Sequence, residues 1–260
     1  MNLSPTGNPA AMNPLASDAS ACRNDVVGAH VRAKESASGQ PLFTDRYVQA
    51  LLDGLGTATL DGLPGPALSA QLSTRTKWYD EFFVAAGASG ISQVVILAAG
   101  LESRPWRLPW LTDTVVYEID RPDVLAYKNA TLRAAGAVTA VKYVPVPVDP
   151  GADWSVPLRD AGFDHDEPTA WSAEGVLALL SDDARDRLLD QITRHSARGS
   201  RISMDASGAA VEAINCLLCT RGWEISSFSA DNLMHRYHRD SPTDDDALVA
   251  FGGCIEGRLL

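Results

Sequence analysis

Long apolar runs are missing from this chain. No stretch of its 260 residues approaches the roughly 18–20 needed to cross a bilayer, so no membrane partner is expected. Basic residues are scarce as well: 22 lysines and arginines stand against 33 acids, for a net charge of −11. Nucleic-acid phosphates require a basic face, and no Lys/Arg cluster rises from this acidic background, which argues against a nucleic-acid partner. A small, neutral or cationic ligand remains. Cysteines number four, Cys22, Cys216, Cys219 and Cys254, too few for a disulfide framework and suited to a reducing, cytoplasmic setting. Cys216 and Cys219 form a C-x-x-C inside the apolar run AVEAINCLLC. With no second pair at zinc spacing, they read as buried core residues, and no metal is expected. The first 20 residues carry one charged side chain, Asp18, and no apolar segment of the kind a signal peptide needs. Residues 1–22 are therefore expected to be a disordered tail.

Glycine is missing where a nucleotide site usually wants it. Residues 94–110 read VVILAAGLESRPWRLPW, with Ala98, Gly100 and Ser103 at the three glycine positions of G-x-G-x-x-G. Glu102 would then face a diphosphate. Two like charges about 4 Å apart cost on the order of 4 kcal/mol at an effective dielectric of 20. The loop is a poor phosphate cradle, and a nicotinamide-dependent oxidoreductase is only a remote alternative.

What is present is a regular alternation. Phe43, Tyr47 and Leu51 repeat at helical spacing, with Thr44 as a plausible cap. RTKWYDEFFVAAG reads as a second helix with its aromatics in the core and Gly87 as its stop. Residues 23–90 are thus expected to form an N-terminal helical cap. From residue 91 to 260 the pattern is that of a Rossmann-like core. Short Val/Ile-rich strands are expected at 93–97, 114–119, 142–148, 170–173 and 201–204. Helices are expected at 123–135 and 182–197, with Ser181 as cap and Gly199 as stop for the second. A helix (209–221), strand (223–229), short helix (231–238) and strand (247–255) close the chain. The last two strands suggest an antiparallel pair at one edge. This is an α/β, doubly wound, mostly parallel sheet with an antiparallel edge strand.

In such a sheet, ligands bind beyond the carboxyl ends of the strands, at the switch point. Those ends carry Gly100 and Glu102, Glu118 and Asp120, Asp149, and Glu174, with few basic residues among them. Acids that repel a diphosphate suit a ligand with adenosine, no phosphate and a positive centre, namely S-adenosylmethionine. A single glycine admits the backbone to its amino-acid portion, Asp120 can accept the ribose hydroxyls, and Asp149 can accept from the adenine amino group. Glu174 or Glu102 would complement the cationic groups.

Motifs in order extend this reading. VVILAAGLESRPWRLPW followed by TVVYEIDRPDVLAYK resembles the signature of the leucine carboxyl methyltransferase-like family, in its bacterial S-adenosylmethionine-dependent branch. KESASGQPLFTDRYVQALL, RTKWYDEFF, VPVDPGADWSVPLRDAGFDHDEPTAWSAEGVLALLSDDARDRLLDQIT and GSRISMD match in sequence, across about residues 28–205. The match returns in RGWEISSFSADNLMHRY. The resemblance implies a class I methyltransferase fold with S-adenosyl-L-methionine as cofactor. It also implies a cofactor-binding site in which Arg75 holds the cofactor carboxylate and Gly100 lies under the methionine part, with Ala98 and Ala99 before it. Asp120 would take the ribose, Asp149 the adenine, and Glu174 the amino group near the substrate entrance. Other roles stay open: an ion pair on the helix surface for Arg75, a helix cap for Asp120, and a turn before Pro150-Gly151 for Asp149. Arg32 and Lys34 could reach the cofactor carboxylate or form a solvated helix end.

The implied chemistry is in-line transfer of a methyl group to a small-molecule carboxylate or hydroxyl. A carboxylate acceptor is ionised at neutral pH and needs no base, so no catalytic residue is assigned. His165, His195, His235 and His238 read as surface residues. The sequence departs from the family pattern in three places: Glu102 stands where Asp is common, Leu179 where Tyr is common, and the lid segment after the fifth strand is short. The last departure raises the alternative of a cofactor-binding member with weak or no activity.

Overall fold

The computed structural model describes residues 19–55, 64–139, 141–240 and 251–260, with side chains from residue 24. The acidic turn Asp244–Asp246, most of the expected tail and the start of the expected last strand lie outside these residues.

Among the described residues, three helices precede the sheet: α1 (Ala19–Ser36), α2 (Val48–Asp53) and α3 (Pro66–Ala88). α2 begins a turn later than the Thr44 cap implies. Asp45 does the capping, its Oδ1 accepting from the Tyr47 and Val48 N–H groups, each at 3.1 Å. α3 runs one residue past Gly87 and is followed by Gly90, whose positive φ of 88° turns the chain toward the first strand.

The sheet strands are β1 (Gln93–Leu97), β2 (Val115–Asp120), β3 (Lys142–Pro147), β4 (Thr169–Ala173), β5 (Arg201–Ala206), β6 (Trp223–Ser229) and β7 (Gly253–Leu259). Their order is β3-β2-β1-β4-β5-β7-β6. β1 to β5 pair in parallel, and β7 runs antiparallel between β5 and β6. The expected antiparallel pair thus stands at that edge, with β6 outermost. Between the strands lie α4 (Arg104–Arg107), α5 (Pro122–Ala134), α6 (Ser155–Asp160), α7 (Asp182–Arg194), α8 (Gly208–Cys219) and α9 (Ala230–Arg236), with a 3-10 turn at Leu177–Leu179. Ser181 caps α7 as expected, accepting from the Ala184 N–H.

Every residue of β1 is buried, as a central parallel strand covered on both faces must be. Val95 and Leu97 join Trp154, Trp171, Leu189 and Ile214 on one face, whereas Val94 and Ile96 meet Phe82, Phe83 and Ala86 of α3 on the other. The aromatics of α3 are core residues. The cysteines are a correction: Cys254 is buried, but Cys216 and Cys219 are exposed. Their helix α8 buries Ile214 and Leu218, and both cysteines fall outside that stripe.

Candidate functional site

Strand order reverses between β1 and β4, which places the switch-point crevice beyond their carboxyl ends. β1 leaves the sheet through Ala98 (φ 52°) and Gly100 (φ 51°), two left-handed residues around Ala99. Asp120, the last residue of β2, secures this turn. Its Oδ2 accepts the Gly100 N–H at 2.6 Å and its Oδ1 the Arg121 N–H at 2.7 Å. The second bond holds the residue just ahead of α5, and Asp120 makes no capping bond to the helix itself. Burial raises the Asp120 carboxyl, and the two N–H bonds oppose the rise.

A cleft of about 260 Å3 opens here, lined by Asp25, Arg75, Ala98, Asp120, Asp149, Glu174 and Leu179 among others. A smaller cavity of about 50 Å3 adjoins it, reaching Ala99, Glu102 and Arg104. Most of the expected residues therefore converge: Arg75, Ala98, Asp120, Asp149 and Glu174 share the main cleft and Ala99 faces the smaller cavity, whereas Gly100 lines neither and completes the turn after β1. Asp149 is exposed and also makes the turn, its Oδ1 accepting the Gly151 N–H at 2.8 Å.

The electrostatics correct the picture of acids with few basic neighbours. Glu174 is gripped by Arg104 (2.7 Å) and Arg75 (3.2 Å). Burial alone would raise its carboxyl, but Arg104 and Arg75 outweigh burial and bring it down to about 2. Arg75 also reaches Asp205 at 3.3 Å, so it is a bridge across the site rather than a helix-surface pair. Glu102 accepts from the Arg104 backbone N–H at 2.8 Å and points away from the main cleft. Glu118 is fully buried against Lys128 at 2.7 Å, and the Tyr143 hydroxyl donates to it at 2.7 Å. Burial pushes this carboxyl up to about 8, with Lys128 opposing and Glu102 reinforcing the rise. Among the described residues Asp25, Asp120 and Asp149 have no lysine or arginine within ion-pair distance. Arg32 is not a solvated helix end: it is buried, donating to the Leu101 carbonyl at 2.8 Å and to Asp45 at 3.4 Å. Lys34 is exposed. His165, His235 and His238 are exposed, and His195 is half-buried beside Trp154.

Three residues of the site escape sequence reasoning. Asp205, the penultimate residue of β5, accepts from the Tyr79 hydroxyl (2.9 Å) and the Gly175 N–H (2.7 Å); the strand-end rule could have found it. Arg104 carries a visible signal, an arginine two residues after Glu102. Asp25 lies on α1, ahead of the motifs read in the sequence, and has none.

Comparison with known proteins decides the family. The sequence pattern of leucine carboxyl methyltransferase matches residues 25–193. The chain belongs to the leucine carboxyl methyltransferase family. A relative from Mycolicibacterium gilvum (strain PYR-GCK), named as an S-adenosyl-L-methionine-dependent methyltransferase, is 49% identical over 229 residues, covering 88% of this chain and 90% of its own. A second from the same strain, with the same name, is 37% identical over 272 aligned residues, covering 86% of this chain and 89% of its own. The crystal structure of a duf574 family protein from Streptomyces avermitilis ma-4680 shares the fold, with a TM-score of 0.57 at 17% identity over 91% of this chain and 97% of that one. This family member is an S-adenosyl-L-methionine-dependent methyltransferase of class I fold. The lining fits that cofactor: Asp25, Asp120 and Asp149 have no basic partner and suit a cationic ligand with hydroxyl and amino donors, whereas a diphosphate would meet like charge. The nicotinamide alternative gains no support. Among the described residues, no helix is long and apolar enough to cross a membrane.

Proposed function

We propose that this methyltransferase transfers a methyl group to oxygen, and that its acceptor is a small molecule bearing a carboxylate or hydroxyl. The observation that carries the reading is the cleft beyond β1, β2 and β4, where Asp120 and Asp149 offer acceptor oxygens without basic partners. In this reading Asp120 takes the ribose hydroxyls and Asp149 the adenine amino group. Ala98, Ala99 and Gly100 support the methionine part, and Arg75 and Glu174 hold its carboxylate and amino ends. When bound, the cofactor supplies an electrophilic methyl group on a sulfonium. The chain's own contribution is alignment and exclusion of water. No histidine lines the cleft among the described residues, which favours an acceptor that arrives ionised and needs no base, a carboxylate.

Among the described residues, the connection that would roof the acceptor side is short. β5 ends at Ala206 and α8 begins at Gly208, leaving only Ser207 between them. Relatives differ in length. The 49% match aligns residue for residue across the covered 88% of this chain, whereas the 272 aligned positions of the 37% match exceed what 86% of this chain can fill. We place the N-terminal helices, residues 23–90, as the cap over the cofactor side and residues 91–260 as the core. In the cytoplasm, a short roof suits an acceptor that is itself small.

The test is a panel of small carboxylic acids and phenols with methyl-labelled cofactor, scored by S-adenosylhomocysteine formation and by release of the label in alkali. An ester product loses its label in base. Alkali-stable label would move the acceptor to a hydroxyl. Tight cofactor binding with no turnover on any acceptor would favour a binding protein.

A further inference from the structure

Asp25 stands on α1, outside the strand-helix alternation, yet its carboxyl packs against Gly100 so closely that a Cβ there would overlap it. Its side chain lines both the main cleft and the small cavity. It is half-buried and, among the described residues, has neither a hydrogen-bond nor an ion-pair partner. Its neighbours contrast with it. Glu174 and Asp205 hold Arg75, Asp80 holds Arg104, Asp45 holds Arg32 and Glu118 holds Lys128. An enclosed carboxylate is costly without a cation, and this one also faces Asp120. Burial, reinforced by Asp120, raises Asp25 to about 7, against the pull of Lys128, Arg32 and Arg121.

We propose that Asp25 is the counter-ion of the cofactor's sulfonium and sets a preference for S-adenosylmethionine over its demethylated product. The inference rests on the placement above, with the methionine part over Gly100 and the ribose at Asp120. The sulfonium joins those two parts, and Asp25 is the acid that faces both. When an electron pair of the acceptor takes the methyl group, the electron pair of the broken C–S bond stays on sulfur. The sulfur becomes neutral and its attraction to Asp25 is lost, which promotes product release.

The full chain is titrated calorimetrically with S-adenosylmethionine and S-adenosylhomocysteine, as wild type and as Asp25→Asn, at pH 6 and pH 8. Asp25→Asn is expected to weaken S-adenosylmethionine on the order of tenfold, the scale of a lost charge-assisted contact, and S-adenosylhomocysteine by less than about twofold. Wild-type affinity for the sulfonium form rises from pH 6 to pH 8 as Asp25 ionises, more steeply than in the variant. The other charged groups facing the cleft, Asp120, Arg121, Asp149, Glu174 and Arg75, are common to both proteins. Melting curves verify folding, and Asp25→Ser must reproduce the altered ratio. Unchanged S-adenosylmethionine affinity, or equal losses for both ligands, overturns the proposal. A wild-type chain that binds neither ligand refutes the cofactor placement first, before any variant is read, and the counter-ion role with it.

Discussion

Gly100 shows how one residue carries several constraints. Its φ of 51° is left-handed, its N–H is held by Asp120, and the face where a side chain would stand is taken by Asp25. Gly100→Ala should therefore cost about 1–3 kcal/mol from backbone strain alone, plus the overlap with Asp25. Urea denaturation measures the loss, and adding Asp25→Gly should recover only the steric part. A midpoint equal to wild type would contradict a strained, crowded turn. Residue by residue, the site is largely legible in the sequence: strand-end position alone picks out Asp120, Asp149 and Glu174. Pairing is not legible. Nothing in the spacing of Arg75, Arg104 and Asp205 says that they meet around Glu174, because they come from α3, α4 and β5, and only the fold brings them together. Asp25 is invisible for the same reason.

Among the elements, the five parallel strands are readable because each is a short apolar run, four of them buried and the edge strand β3 buried only at Val146, and their limits differ from the expected ones by no more than two residues. Helix ends are less readable. α2 starts where Asp45 can supply a side-chain oxygen, and α8 turns both C-x-x-C cysteines outward because Ile214 and Leu218, flanked by Val211 and Leu217, face the core. The tie between β2 and α5 is the clearest energetic element. Glu118 and Lys128 are each fully buried and 2.7 Å apart. Lys128→Met should cost up to about 3–5 kcal/mol where Glu118 is ionised, the scale for orphaning one member of a buried pair. The sign follows from Glu118, whose folded carboxyl is raised to about 8 even with Lys128 pulling it down. Without Lys128 it rises further, so below pH 8 the carboxyl is protonated with or without its partner, no orphaned charge arises, and the penalty should grow only as pH climbs above 8. Denaturant melts at about pH 7 and above about pH 9 check this; a pH-independent loss would mean that Lys128 acts through packing.

Across the whole molecule, an acidic chain has arranged its charge unevenly. Arginines and lysines neutralise the acids that hold the sheet edge together, while the acids lining the cofactor side of the cleft are left without them. A net charge of −11 hints at a cation. It does not reveal that most acids near the switch point are already satisfied by basic partners, because charge totals carry no topology. Everything proposed for the site depends on the crevice beyond β1 and β2 holding S-adenosylmethionine with Asp120 on its ribose. Calorimetric titration of wild type and Asp120→Ala puts that placement at risk. The wild type should bind, and the folded variant should lose about 1.5–3 kcal/mol of affinity; an unchanged dissociation constant would contradict the placement.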